Sequence, residues 1–488
     1  MYRARNIQYE HSDRVRGLTS GGIGAMHQLA AHTGLVAAID QHVQVLKVAL
    51  PYHESDHVLG IAYNMLCGGT CLQDIEQRRQ DEVYLDALGT QRIPDPTTAG
   101  DFCRRFDEAA IEALQTAINE TRMRVWRTQP VAFFAEAVID ADGTLAETTG
   151  QCKEGMDIAY NGVWGYHPLV VSLANTQEPL FLVNRSGNRP SAEGAAERFD
   201  QAHALCRQAG FQRITFRGDT DFSQTAHLDR WDRGGVRFVF GYDARATVIR
   251  EADALPARAW TPLVRRPPYA VQTEPRQRPV NVKEATIVER EFKNLRLKAE
   301  AVAEFPYQPT ACATAYRMVV VRKNISVEQG DQRLFDEIRY FFYLTNDHET
   351  AAADIVFLAN DRCNQENLID QLKHGVGATR MPVDTLLSNW AYMVMAALAW
   401  TLKAWFALRL PTTGRWAARY AAEKTAVLRM EFKAFLHAFI LIPVQIVRTS
   451  RRLVFRLLAW NPWQVVFLCG FDQLHQPAAV VSRPPRPG

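Results

Sequence analysis

Hydrophobic periodicity changes twice along the chain. From about residue 20 to 125, apolar positions recur at helical spacing, as in "GGIGAMHQLAAHTGLVAAIDQHVQVLK" and "DHVLGIAYNMLCGGTCLQDIEQRR". Such stripes predict helices that each bury one face. From residue 131 the pattern becomes strand-like: "VAFFAEAVIDADG", "VWGYHPLVVSLA" and "PLFLVNR" predict three strands, the last two joined by the turn "NTQE". "SAEGAAERFDQAHALCRQAGF" predicts an amphipathic helix with Ser191 as its cap. "RITFRG" and "VRFVFGYDA" predict a fourth and a fifth strand. Strands followed by alternating helix and strand predict an α/β fold built on a mixed sheet.

Residues 245–350 interrupt that pattern with the Pro- and Arg-rich "RRPPYAVQTEPRQRPVNV" and then strand-like runs such as "YRMVVVRK" and "IRYFFYLT". They predict a β-rich basic insertion, followed by a helix, "RCNQENLIDQLKHG", that stops at Gly375. The expected divisions are therefore a helical region over 1–128, the first part of the α/β core over 129–244 and the insertion over 245–350. A core helix follows over 351–385, then a mostly helical, basic region over 386–475 and a disordered tail over 476–488. The apolar run at 386–402 is almost long enough to span a membrane, but Ser388, Asn389 and Lys403 fit a buried core helix instead. No membrane partner is expected.

Composition places the chain among globular proteins of several domains, at 488 residues with 47% hydrophobic and 22% charged. The net charge of +3 conceals two basic clusters. From Arg258 to Lys298 ten Lys/Arg face four Asp/Glu, and from Lys403 to Arg456 eleven face two. Interleaved aromatics (Trp260, Tyr269, Trp405, Trp416, Tyr420) suit a polyanion such as DNA, although a solvated basic face has the same composition. The eight cysteines form no CxxC pair and the N-terminus carries no apolar leader, which points to a reducing cytoplasm and against a zinc ribbon.

Three acidic positions carry candidate chemistry. In "AVIDADGTLAE", Asp140 and Asp142 alternate onto the same face of a strand, where two carboxylates repel unless a cation or proton separates them. Asp219 follows the fourth strand, where ligand groups gather in open α/β sheets and where a helix cap is also common. On the helix after the insertion, Arg362, Glu366 and Lys373 share one narrow stripe, with Asp370 a nearby rival to Glu366. Three carboxylates flanked by cations suit Mg²⁺, which binds through a few carboxylates plus phosphates. "HESDH" at 53–57 matches the HExxH zinc motif, but Pro51 sets His53 at or before the helix start, so a zinc site is not expected.

These patches resemble the Asp, Asp, Glu triad of DDE transposases from bacterial insertion sequences. "DGT" at 142–144 is similar to that family's Asp-x-Thr, and Asp219 to its second acid. Arg362, Glu366 and Lys373 reproduce the last three positions of the Tyr-x2-Arg-x3-Glu-x6-Lys signature; Ala359 stands at the tyrosine position. The resemblance implies a ribonuclease-H-like core interrupted by a β-rich insertion. Asp142, Asp219 and Glu366 would be catalytic and hold two Mg²⁺ (or Mn²⁺) ions, with Asp140 the alternative to Asp142. Arg362 and Lys373 would bind DNA phosphates. It implies cut-and-paste transposition on double-stranded DNA, through terminal inverted repeats and target DNA, by a homodimer in the bacterial nucleoid. An inactive or domesticated DNA-binding protein, or a nuclease on the same core, would carry the same triad.

Overall fold

Nine strands between residues 136 and 345 form one sheet. In chain order they are β1 (Glu136–Gly143), β2 (Leu169–Leu173), β3 (Glu178–Val183), β4 (Arg213–Gly218), β5 (Arg237–Tyr242), β6 (Thr261–Pro262), β7 (Lys293–Tyr307), β8 (Tyr316–Gln329) and β9 (Gln332–Thr345). The computed structural model describes residues 9, 15–48, 51–265, 282–411, 417–449, 452–458 and 461–474. Across the sheet the order is β6-β7-β8-β9-β5-β4-β1-β2-β3. β1 runs parallel to β4, and β4 to β5; every other pairing is antiparallel. The predicted mixed α/β architecture is therefore present.

The predicted elements differ in detail for local reasons. Pro130 opens a 3-10 turn over Val131–Phe134, so β1 starts five residues later than the apolar run. Phe133 and Phe134 pack on Phe211 at the foot of the sheet instead. Pro168, which has no N–H to give a ladder, separates a short strand, Trp164–Tyr166, from β2. Ser191 does not cap the following helix, α3 (Ala195–Ala209). Gly194, at φ +74°, makes the left-handed turn into it. Residues of the predicted insertion continue the core sheet, because Phe342–Thr345 of β9 pair with Val239–Tyr242 of β5.

A helical layer packs at the β3 edge of the sheet: α2 (Glu108–Trp126) and the long α6 (Leu386–Arg409) contact β3, and α1 (Glu54–Leu66) packs on α6. α6 is apolar and long enough to cross a membrane, but its 18-residue apolar window is 100% buried inside the protein. Its indoles lock it to the sheet edge: Trp390 and Trp400 donate to the carbonyls of Leu182 and Gln177, each at 2.6 Å. Glu178, fully buried, accepts from Arg122, Trp126, Thr176 and Trp405. That leaves no oxygen of the carboxylate without a partner, the condition under which a buried charge is tolerated.

Two expectations about the basic, aromatic stretches change here. Trp405 and Lys403 belong to the core, not to a polyanion-binding face: Lys403 lies 3.5 Å over the Trp400 ring and donates to the Leu428 carbonyl. Trp260 lies under Arg322, whose guanidinium is 4.2 Å from the ring, while Tyr269 and Trp416 lie outside the described residues. Many insertion arginines are neutralised in place, Arg265 by Glu300, Arg296 by Glu284 and Glu328, Arg333 by Asp336 and Arg339 by Glu337.

Candidate active site

Parallel pairing of β1 and β4 brings their C-terminal ends side by side. Asp142 is the penultimate residue of β1, and Asp219 follows the last residue of β4. One pleat earlier, Asp140 stands opposite Arg217 in the register. The two meet bidentately, both bonds at 2.7 Å, and are 1% and 4% exposed. Arg217 also donates to the Leu358 carbonyl at 2.8 Å. Asp140 is thus a satisfied interior carboxylate, whereas Asp142 faces an open end of the sheet.

At that end three carboxylates converge on one guanidinium. Arg362 Nη1 lies 3.3 Å from Asp142 and 3.8 Å from Asp219, and its Nη2 lies 3.5 Å from Glu366. Exposure rises across the group, from 15% for Asp142 to 33% for Asp219 and 59% for Glu366, so solvent reaches it from the Glu366 side. Burial first, then the neighbouring charge of Asp219, pushes the Asp142 carboxyl up to about 7 despite Arg362. Burial also raises Asp219, against the pull of Arg362 and of the Asp221 N–H, which donates to it at 3.0 Å. Two acids that resist ionising beside each other mark a place that favours added positive charge.

Glu366 reaches the site because its helix is pinned. A first helix, α4 (Ala352–Asn360), ends at Asp361, and α5 (Cys363–Asp370) restarts with Arg362 as its cap. Gln365, 1% exposed, donates to the carbonyl of Val170, the cross-strand partner of Asp142, and accepts from Ser172. Asp370, the rival acid, lies one turn on and pairs with His374 at 3.8 Å. Residues 371–375 form a π-turn, which carries Lys373 off the regular helical stripe. Lys373 makes no ion pair with the triad among the described residues. It is half-buried beside His167, and burial lowers its affinity for a proton.

Three residues near the site, His167, Tyr343 and Gln365, stand outside every motif position in the sequence. His167 holds the Arg189 carbonyl through Nδ1 at 2.8 Å and turns Nε2 toward Gly143; a Cβ at Gly143 would lie 2.8 Å from it. Tyr343 of β9 donates to Asn360 at 3.4 Å, on the turn that carries Arg362. Ala359, at the tyrosine position of the signature, packs instead in a small apolar cluster with Val239, Val319 and Val356. Gln365 is the third, and its polar character on a buried face was the one available hint.

The donor set fits a divalent cation of oxygen preference, since three carboxylates already share one positive centre. Among the described residues no group of three His, Cys, Asp or Glu side chains stands close enough to cage a metal as it is. The spacing is that of acids held around a guanidinium, so a cation would enter by replacing Arg362. The HExxH match is structural: His53 caps α1, and His57 is stacked on Phe102 at 4.3 Å, with burial bringing its proton affinity down to about 4.

The sequence model of the family described as transposase DDE domain group 1 matches residues 10–479. No curated protein matches the chain. Among solved structures, a piggyBac transposase synaptic complex with hairpin DNA is similar over 86% of this chain and 79% of that one. Identity is 10% and the TM-score 0.37.

Proposed function

Because the chain belongs to the transposase DDE domain group 1 family and is a DNA-cleaving transposase, we propose that it cuts an insertion sequence out at its ends and joins it to a target by strand transfer. Asp142, Asp219 and Glu366 are the proposed catalytic acids and would hold two Mg²⁺ or Mn²⁺ ions. When bound, those ions supply Lewis-acid stabilisation to the attacking and leaving oxygens of an in-line displacement. The observation that carries this reading is the convergence of all three acids on Arg362.

The chain's own residues supply the rest. Arg362, freed from the carboxylates, has a planar fork suited to two phosphate oxygens. Lys373, seven residues beyond Glu366 and on the π-turn, is the second proposed phosphate contact. Gln365 keeps Glu366 in register with Asp142, and Asp140–Arg217 fixes the spacing of β1 and β4. The order β3-β2-β1-β4-β5, with β2 antiparallel, supports a ribonuclease-H-like core. The proposed partners are double-stranded DNA, as terminal inverted repeats and target, and a second copy of the chain in the synaptic complex, in a bacterial nucleoid.

The test is Mg²⁺-dependent cutting of a duplex that carries the terminal repeats. Nicking at the repeat boundary, lost on chelation, is the expected result. A protein that binds the repeats and never cuts them is a DNA-binding protein on a transposase fold.

A further inference from the structure

Three segments distant in sequence meet just beyond α5 and enclose a cavity of about 260 Å³. One is the loop after α1, around Gly68–Thr70; the second is the chain leaving the π-turn, His374–Arg380. The third is Lys433–Leu441, within the C-terminal region. Four of the lining side chains are basic or imidazole, His374, Arg380, Lys433 and His437, all exposed, and none is a carboxylate.

The cleft is built rather than incidental. A Cβ at Gly375 would lie 2.9 Å from Phe432 Cβ, so the π-turn and the C-terminal region are in direct contact there. Phe432 N–H donates to Gln371 Oε1 at 2.8 Å across the same seam. Gly377, at φ +74°, turns the chain toward Thr70, and its carbonyl accepts from the buried Tyr392.

Charge is what sets this cleft apart. The insertion arginines named above are matched by acids, whereas Arg380 and Lys433 have no carboxylate partner among the described residues. Asp370 stands 3.8 Å from His374, and Asp74 is occupied by the Thr70 and Cys71 N–H groups. Exposed cations with no acid beside them are the groups that displace counter-ions when a polyanion binds.

We propose that this cleft binds the DNA backbone, with Arg380 and Lys433 each neutralising a phosphate next to the active site. The proposal rests on the reading of the chain as a DNA transposase. His374, on the rim of the cleft, lies eight residues beyond Glu366, on the π-turn that directly follows α5.

The experiment measures binding of the full-length chain to a 30-base-pair duplex by fluorescence anisotropy from ~50 to ~200 mM salt. Arg380→Ala/Lys433→Ala is compared with wild type and with Arg333→Ala/Arg339→Ala, which removes equal charge from paired positions. The cleft variant, folded by circular dichroism, should lower the slope of log K against log salt by about 1.8, at ~0.9 per phosphate contact. Arg380→Lys/Lys433→Arg should restore it. An unchanged slope, or an equal fall in the Arg333/Arg339 control, overturns the cleft. So does a variant that loses only the thermal shift given by inorganic tripolyphosphate while duplex binding is intact, for the site then serves a free polyphosphate. Wild-type protein that binds no duplex contradicts the transposase reading itself.

Discussion

Asp140 and Asp142 sit two residues apart on the same face of the same strand, and each faces an arginine. Asp140 has Arg217 to itself, with two bonds at 2.7 Å and almost no exposure. Asp142 shares Arg362 with two other acids at distances of 3.3 to 3.8 Å, at the wet end of the sheet. The first pair is saturated and serves the fold. The second is short of positive charge, and that shortage is the reason it is the proposed cation site. Ion pairing alone does not separate structure from chemistry; the number of acids per cation does.

The contrast can be broken most sharply by removing each aspartate. Asp142→Asn should lower DNA cleavage on the order of a thousandfold while circular dichroism and the unfolding midpoint stay at or above wild type. Asp140→Ala should instead lose about 3–5 kcal/mol in urea unfolding, since it strands Arg217 in the interior. Asp140→Leu combined with Arg217→Met should recover most of that loss, because a buried ion pair exchanged for apolar side chains is close to neutral. If the double variant is as unstable as the single, the pair is not the self-contained unit its geometry describes.

Acid strength sharpens the comparison further. The Asp142 carboxyl is raised to about 7 in the fold, above its unfolded value of about 4. Between those values the folded chain holds the extra proton, so stability falls as pH rises through that window and levels off above about 7. Thermal unfolding of metal-free protein should follow that course, and Asp142→Asn should remove this component. Arg362→Gln should tighten Mn²⁺ binding about tenfold by calorimetry, as the competing cation is gone. The smallest effect belongs to Asp370→Asn, which should leave cleavage within about twofold, because its exposed pair with His374 carries little energy.

What was legible in the sequence follows the same division. The alternation in "RITFRG" predicted β4 to the residue, and the spacing of Arg362 from Glu366 put both at one centre. Local pattern speaks to such elements because a strand or a helical turn is set by its own neighbours. Long-range pairing was not legible. Nothing in "IRYFFYLT" says that it adds to β5, and nothing around Asp140 says that Arg217 lies across from it. Lys403 and Trp405 counted as a basic, aromatic surface until the packing of α6 put them inside. Lys373 kept its spacing but lost its stripe to a π-turn, which sequence periodicity does not register.

The most direct test compares Asp142→Asn and Asp140→Asn in one assay, Mg²⁺-dependent cleavage of a duplex bearing the terminal repeats, with folding checked alongside. The account expects cleavage by folded Asp142→Asn to fall on the order of a thousandfold, and activity in whatever fraction of Asp140→Asn remains folded. Wild-type cleavage by Asp142→Asn, or a fully folded Asp140→Asn that cannot cut, would contradict it.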